Sequence, residues 1–211
     1  MGLPINVIVG GNAPATTGTT PQILRCDPTG ALATAKMHGD YYEAAVRKTM
    51  FSGSNLAGVT TTVGFATTLT GFCLSNPIGS TVNLVIDKIK YAILAQQSAA
   101  LIFGLQTGYS ASSNVTQTTP LVPLSNFVGQ PAGQGLIASA VTLPVAPTRL
   151  ILLDTLLTAA LTVGFNGGNV IDMQGSLIIP PGGFVATYTS AASAASSLAF
   201  GMAWEEVPVT I

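Results

Sequence analysis

A series of short β-type segments, separated by Gly/Pro-rich turns, constrains this chain more than any other feature. Apolar and polar residues alternate within the segments, and signals such as Ser75-Asn76-Pro77-Ile78-Gly79 end them. Alternation with a period of two is typical of strands that bury one face. The predicted strands are Phe65–Leu74, Val82–Ala95, Ala100–Leu105, Gly135–Leu143, Arg149–Leu153, Leu161–Phe165, Val170–Ile179, Phe184–Tyr188 and Leu198–Glu206. Roughly eight or more short strands therefore predict an all-β fold, a jelly-roll β-sandwich of two packed four-stranded sheets.

One predicted strand contains an irregularity. Within Val82–Ala95, apolar residues fall on even positions up to Ile86 and on odd positions from Ile89 onwards. One extra residue in a strand moves all later side chains to the opposite face. The pattern predicts a bulge or bend at Asp87-Lys88.

Three segments are less regular. His38–Met50 and Leu152–Leu161 are compatible with either a helix or a strand, because propensity and alternation disagree there. The segment Gly108–Gly133 is rich in Ser, Thr, Asn, Gln and Pro, which predicts a long polar loop. Loops of this length are uncommon unless they serve a function.

The distribution of charge predicts two regions. Seven of the fifteen charged residues lie between Arg25 and Lys48, and none lies between Tyr91 and Thr148. The N-terminal region also contains a short β-type run at Ile5–Val9 and a Gly/Thr/Pro-rich stretch at Gly10–Pro21. We predict an extended N-terminal arm, or docking segment, over residues 1–49 and a jelly-roll domain over residues 50–211.

The scarcity of charge limits the partners. Charged residues make up 7% of the 211 residues, and the net charge is −1, whereas about 25% is usual in globular domains. So few cations argue against nucleic acid as a partner, since binding it requires many phosphate contacts. Polar interruptions in the most apolar stretches argue against a membrane-spanning helix. We expect neither nucleic acid nor membrane to be a partner.

The same scarcity favours self-assembly. Obligate interfaces between identical subunits are apolar and depleted in charge, and near-zero net charge weakens repulsion between copies. We therefore expect much of the surface to be covered by sibling subunits. A monomer kept soluble by its Ser and Thr residues is the alternative.

The sequence contains no pattern typical of catalysis. His38 is the only histidine, so a zinc site with two histidines is excluded, and neither a Gly-x-Ser-x-Gly elbow nor a phosphate-binding glycine motif occurs. Glu205 and Glu206 are adjacent and would point to opposite faces of a strand, while Asp154 and Asp172 are isolated. We predict no catalytic residue, no metal site, no cofactor and no enzymatic activity.

The two cysteines, Cys26 and Cys73, favour a reducing compartment. We interpret them as reduced cysteines that pack as small apolar residues in a protein made in a cytosol. A Cys26–Cys73 disulfide stays open as an alternative.

Aromatic residues supply candidates for contacts. Tyr41-Tyr42 is typical of a pair that anchors a protein interface. Phe184, Tyr188 and Trp204 are predicted to lie in the core or in an interface between subunits.

Several segments together resemble a known family, the jelly-roll capsid decoration (cement) proteins of tailed bacteriophages. Most of them are turns and strand ends scattered over residues 30–208, and the closing Trp-Glu-Glu-Val-Pro adds to the likeness. They are Gly30-Ala31-Leu32, His38-Gly39-Asp40-Tyr41-Tyr42-Glu43, Leu74-Ser75-Asn76-Pro77, Asn83-Leu84-Val85-Ile86, Leu177-Ile178-Ile179-Pro180-Pro181-Gly182-Gly183 and Phe200-Gly201-Met202-Ala203-Trp204-Glu205-Glu206-Val207-Pro208.

The resemblance implies a homotrimer on the outer surface of an icosahedral capsid, assembled in the host cytoplasm. Such a protein clamps neighbouring major capsid subunits against the internal pressure of packed DNA. We expect Ile5–Val9 to add a strand to a sheet edge of the capsid. The predicted docking residues are Ile5, Val7, Val9, Arg25, Tyr41, Tyr42 and Arg47, and the predicted trimer or core residues are Phe184, Tyr188 and Trp204.

Two alternatives stay open. A head-fibre, tail-tip or receptor-binding protein of the same fold would use the segment 108–133 at its tip. A lectin-like domain is the other, although its aromatic and acidic residues would be sparse.

Overall fold

The computed structural model describes residues 6–7, 22–23, 39–55, 57–95, 97, 99–156 and 168–209. The chain divides into two units, Met1–Asp40 and Tyr41–Ile211. In the first unit, β1 (Asn6–Val7) pairs antiparallel with β2 (Gln22–Ile23). Residues 41–49, which the sequence assigns to the arm, belong to the second unit.

The second unit is an all-β sandwich of two antiparallel sheets, with one short helix, α1 (Tyr42–Val46), among its described residues. The predicted all-β sandwich is therefore confirmed. Its strands are β3 (Met50–Ser54), β4 (Thr68–Ser75), β5 (Val82–Ile93), β6 (Leu101–Tyr109), β7 (Thr116–Leu121), β8 (Leu124–Ser125), β9 (Leu136–Thr142), β10 (Arg149–Leu156), β11 (Gly168–Ile179), β12 (Gly183–Thr189) and β13 (Leu198–Pro208).

The two sheets are larger than the expected four strands each. The six-stranded sheet has the order β10-β6-β12-β4-β9-β7, and the five-stranded sheet has the order β11-β5-β13-β3-β8. Residues 108–133 contain β7 and β8, so the prediction of one long loop is wrong there. The polar strand β7 forms because β9 satisfies its backbone, and it lies at an edge where Pro120 is tolerated.

The predicted bulge in β5 is confirmed. Opposite β13, the register passes from Ala203–Lys88 to Trp204–Ile86 and leaves Asp87 as the extra residue. On the other side, β11 loops out between Asp172 and Leu177. Two consecutive residues of that loop, Gln174 and Gly175, have positive φ angles of 48° and 73°. Both irregularities meet at Asp87.

The main core lies between the sheets and includes the fully buried Trp204. A second cluster lies on the outer face of the six-stranded sheet, where Phe184 packs with Cys73 and Ala138. Gly108 faces Phe184, and a Cβ there would overlap the ring. Trp204 and Phe184 are thus core residues within one chain.

Candidate interaction surfaces

Charge is segregated between the two sides of the sandwich. Strands β4, β6, β7, β9 and β12 contain no Asp, Glu, Lys or Arg, and the six-stranded sheet carries such residues only on its edge strand β10. The five-stranded sheet contains Asp87, Lys88, Lys90, Asp172, Glu205 and Glu206. We call its outer face, together with residues 41–49, the charged side. The neutral side is the outer face of the six-stranded sheet with the turn 63–65 and the loop 110–115.

Residues 41–49, called the strap below, are fastened at both ends to the outer face of the five-stranded sheet. The Tyr41 hydroxyl donates to Asp172 Oδ1 over 3.2 Å, and Lys88 Nζ lies 4.6 Å from the centroid of the Tyr41 ring. At the other end, Thr49 Oγ1 donates to Glu205 Oε1 over 3.0 Å. The strap therefore draws together three strands of the sheet, β11, β5 and β13.

The carboxyl of Asp87 lies buried within this charged group. The residue is 7% exposed, and its Oδ2 atom has no hydrogen-bond partner. Burial, followed by the negative charges of Glu205 and Asp172, raises the pKa of Asp87 to about 6, against the opposing effect of Lys88. Burial likewise raises the pKa of Tyr41, together with its hydrogen bond to Asp172.

The predicted docking residues are brought together only in part. Tyr41 lies in the strap, Tyr42 begins α1 with an exposed side chain, and Arg47 is exposed at the end of α1. The backbone of Val7 lies in β1, while its side chain is not described. Ile5, Val9 and Arg25 lie outside the described residues, as do Cys26 and His38.

A groove of about 250 Å³ lies on the charged side. Small residues line it, including Ser52, Gly201 and Ala203, and Lys90 lines it from β5. Val122 and Leu124, both largely exposed, line it from the β7–β8 segment. The groove is therefore lined by exposed apolar side chains, those of Val122 and Leu124, and by the cation Lys90.

The neutral side carries an aromatic turn that the sequence does not predict. Phe65, which the sequence assigns to the start of a strand, lies in a turn before β4 with a φ of 65°. Its backbone N–H donates to Oε1 of the buried Gln106 over 2.7 Å. Its ring contacts Tyr188, with 5.1 Å between centroids. Only the glycine at position 64, where a Cβ would overlap Tyr188, hints at this turn in the sequence.

Asp154, Glu205 and Glu206 accept hydrogen bonds within the sandwich, and Cys73 is buried in it. Asp154 accepts hydrogen bonds from Tyr91 Oη and from the backbone of Thr155, and burial raises the pKa of the Cys73 thiol to about 12. Glu205 and Glu206 point to opposite faces, since one bonds the strap and the other the backbone of Gly135.

Two searches of the described residues concern metals and membranes. Over these ranges, no three Asp, Glu, His or Cys side chains lie close enough to hold a metal ion together. No helix within them has the length and apolar character needed to cross a bilayer.

Comparison with models of protein families, with curated proteins and with solved structures finds no significant match for this chain.

Proposed function

We propose that this chain is a structural virion protein, a homotrimeric capsid decoration (cement) protein whose sandwich is a jelly roll. The strand order supports the jelly roll. Without β7–β9, the eight remaining strands form the sheets β3-β13-β5-β11 and β4-β12-β6-β10. Taken as strands one to eight, these are the orders 1-8-3-6 and 2-7-4-5 of two interleaved Greek keys. Strands β7–β9 are then an insertion between the fourth and fifth strands.

The segregation of charge carries the functional proposal. A protein that bridges copies of itself and a shell needs two different contact surfaces, and this sandwich has a neutral side and a charged side. The charged side holds the strap, whose first residue, Tyr41, directly follows the N-terminal unit. In this proposal, the charged side and the N-terminal unit bind the major capsid protein. The whole molecule then lies on the outer surface of the capsid.

Binding of the full chain to capsids that lack it tests this proposal. We expect the protein to sediment with undecorated heads, and electron microscopy to locate its density at three-fold positions on the outer surface. Tyr42→Ala, which truncates an exposed side chain of α1, should weaken binding. Ile78→Ala, in the exposed turn after β4, is the control. Absence of density on the heads would contradict the proposal.

A receptor-binding or fibre protein is the second candidate, and one observation favours it. The segment 121–128 exposes four large apolar side chains, those of Val122, Leu124, Phe127 and Val128, among its polar residues. Such exposed groups are typical of a contact surface. In that case Val128→Asp should abolish attachment to host cells and leave binding to heads intact.

A further inference from the structure

The turn 63–65 on the neutral side exposes apolar surface in a fixed conformation. Val63 is 52% exposed and Phe65 is 42% exposed. Phe65 adopts a left-handed backbone conformation, which is uncommon for a bulky side chain and marks a position that its surroundings must enforce.

Those surroundings are buried and specific. Gln106 is fully buried on β6, where its Oε1 accepts from Phe65 and its Nε2 donates to the Thr187 carbonyl over 3.0 Å. Tyr188 on β12 supports both Phe65 and Gly64. The aromatic surface is thus held rigid before any partner binds, which lowers the entropy lost on association.

The absence of charge around the turn indicates what covers it. The turn 63–65 and the strands β4, β6 and β12 of the neutral side contain no Asp, Glu, Lys or Arg, and within the six-stranded sheet such residues occur only in the edge strand β10. A surface of this kind is complementary to another uncharged surface, because no ion is stripped of water on contact. The charge-free strands of this same chain provide such a surface, whereas its own charged side does not.

We propose that the neutral side, centred on the turn 63–65 and Tyr188, is the surface through which copies of this chain contact one another. The inference rests on the proposed homotrimer and assigns its contact surface. The turn and Tyr188 lie at the subunit contact, so that Phe65 becomes buried only in the assembly. The charged side stays open for a different partner.

The mass of the full chain in solution tests this inference, with two matched valines. Val63→Asp places a carboxylate in the proposed contact, and Val170→Asp places one at a similarly exposed position, 54%, on the five-stranded sheet. We expect three times 21.4 kDa for the unchanged chain and for Val170→Asp by light scattering. Val63→Asp should raise the dissociation constant by about 30-fold or more, as for a central contact residue.

A second variant guards against misfolding. Phe65→Gly removes the ring while glycine accepts the positive φ without strain, so the sandwich should keep its circular dichroism spectrum and lose association. Retention of the full oligomeric mass by both Val63→Asp and Phe65→Gly would overturn the inference, even if the protein still binds heads. A monomeric unchanged chain would overturn it as well. Loss of head binding without loss of mass would assign the neutral side to the capsid instead.

Discussion

Asp87 has the least favourable surroundings of the charged residues on the five-stranded sheet, because its carboxylate is buried beside Glu205 and Asp172. In the unfolded chain its pKa returns to 3.8, below the folded value of about 6. The ionised form therefore destabilises the fold, and this cost develops as the pH rises from about 4 to about 6. Below that window both states are protonated and the cost vanishes.

Replacing Asp87 with Asn should accordingly stabilise the protein at neutral pH. We expect a gain of at most about 2 kcal/mol at pH 7, since Lys88 and solvent screen part of the repulsion, and a much smaller gain near pH 4. Urea denaturation at both pH values measures the difference. An equal effect at the two pH values would show that charge is not the cause.

Glu206 and Glu205 offer a contrast between neighbours. Glu206 accepts hydrogen bonds from the backbones of Gln134 and Gly135, at 3.0 and 2.9 Å, and it is buried. Glu206→Ala should destabilise the fold by about 2–3 kcal/mol, because buried N–H groups lose a charged acceptor. Glu205→Ala, which loses one partly buried bond to Thr49, should cost about 1 kcal/mol or less. Equal losses in urea denaturation would contradict this account.

At the scale of elements, the alternation of residues predicts β5 well. The change of phase at Asp87 is visible in the sequence because both halves of the strand bury apolar side chains, up to Ile86 and from Ile89. Deletion of Asp87 restores simple alternation between these residues, whereas deletion of Val85 turns Ile86 away from the core.

We therefore expect the chain without Asp87 to fold, with a loss of about 1–3 kcal/mol as for a strained strand. The chain without Val85 should lose cooperative unfolding. Thermal melts followed by circular dichroism distinguish the two. Similar melts for both deletions would show that the register of β5 is not set by its apolar face.

Other elements could not be predicted because their stabilising contacts are distant in sequence. Strand β7 is polar and forms through pairing with β9. The five-residue helix α1 lacks a side-chain cap and buries none of its residues, so local propensity could not separate it from a strand. The turn at Phe65 depends on Gln106, 41 residues away, and no local pattern indicates that bond.

At the scale of the whole molecule, composition and turn signals predict the all-β sandwich, yet they do not predict the segregation of charge. Lys88, Asp172 and Glu205 lie far apart in the chain and meet only because β11, β5 and β13 are adjacent. The sequence therefore does not predict which of its few charged residues lie close together in space. The predicted docking residues within the strap acquire their setting from this topology.

The two proposed contacts, between copies and with capsids, should respond differently to salt. Association of copies through the neutral side should change less than about twofold between low and high salt, because it has few charges to screen. Binding of the charged side to capsids should weaken over the same range. Sedimentation at several salt concentrations measures both, and a strong salt dependence of self-association would contradict the assignment of sides.

The burial of Cys73 gives the folded protein an internal reporter. The thiolate is the reactive form of cysteine, and with a pKa of about 12 it is almost absent at neutral pH while the second cluster stays closed. In a Cys26→Ser background, alkylation by iodoacetamide would then proceed only through transient opening of the outer layer beneath Phe184. The rate of labelling would measure how often that layer opens. A second copy of the chain bound over the layer would lower this rate.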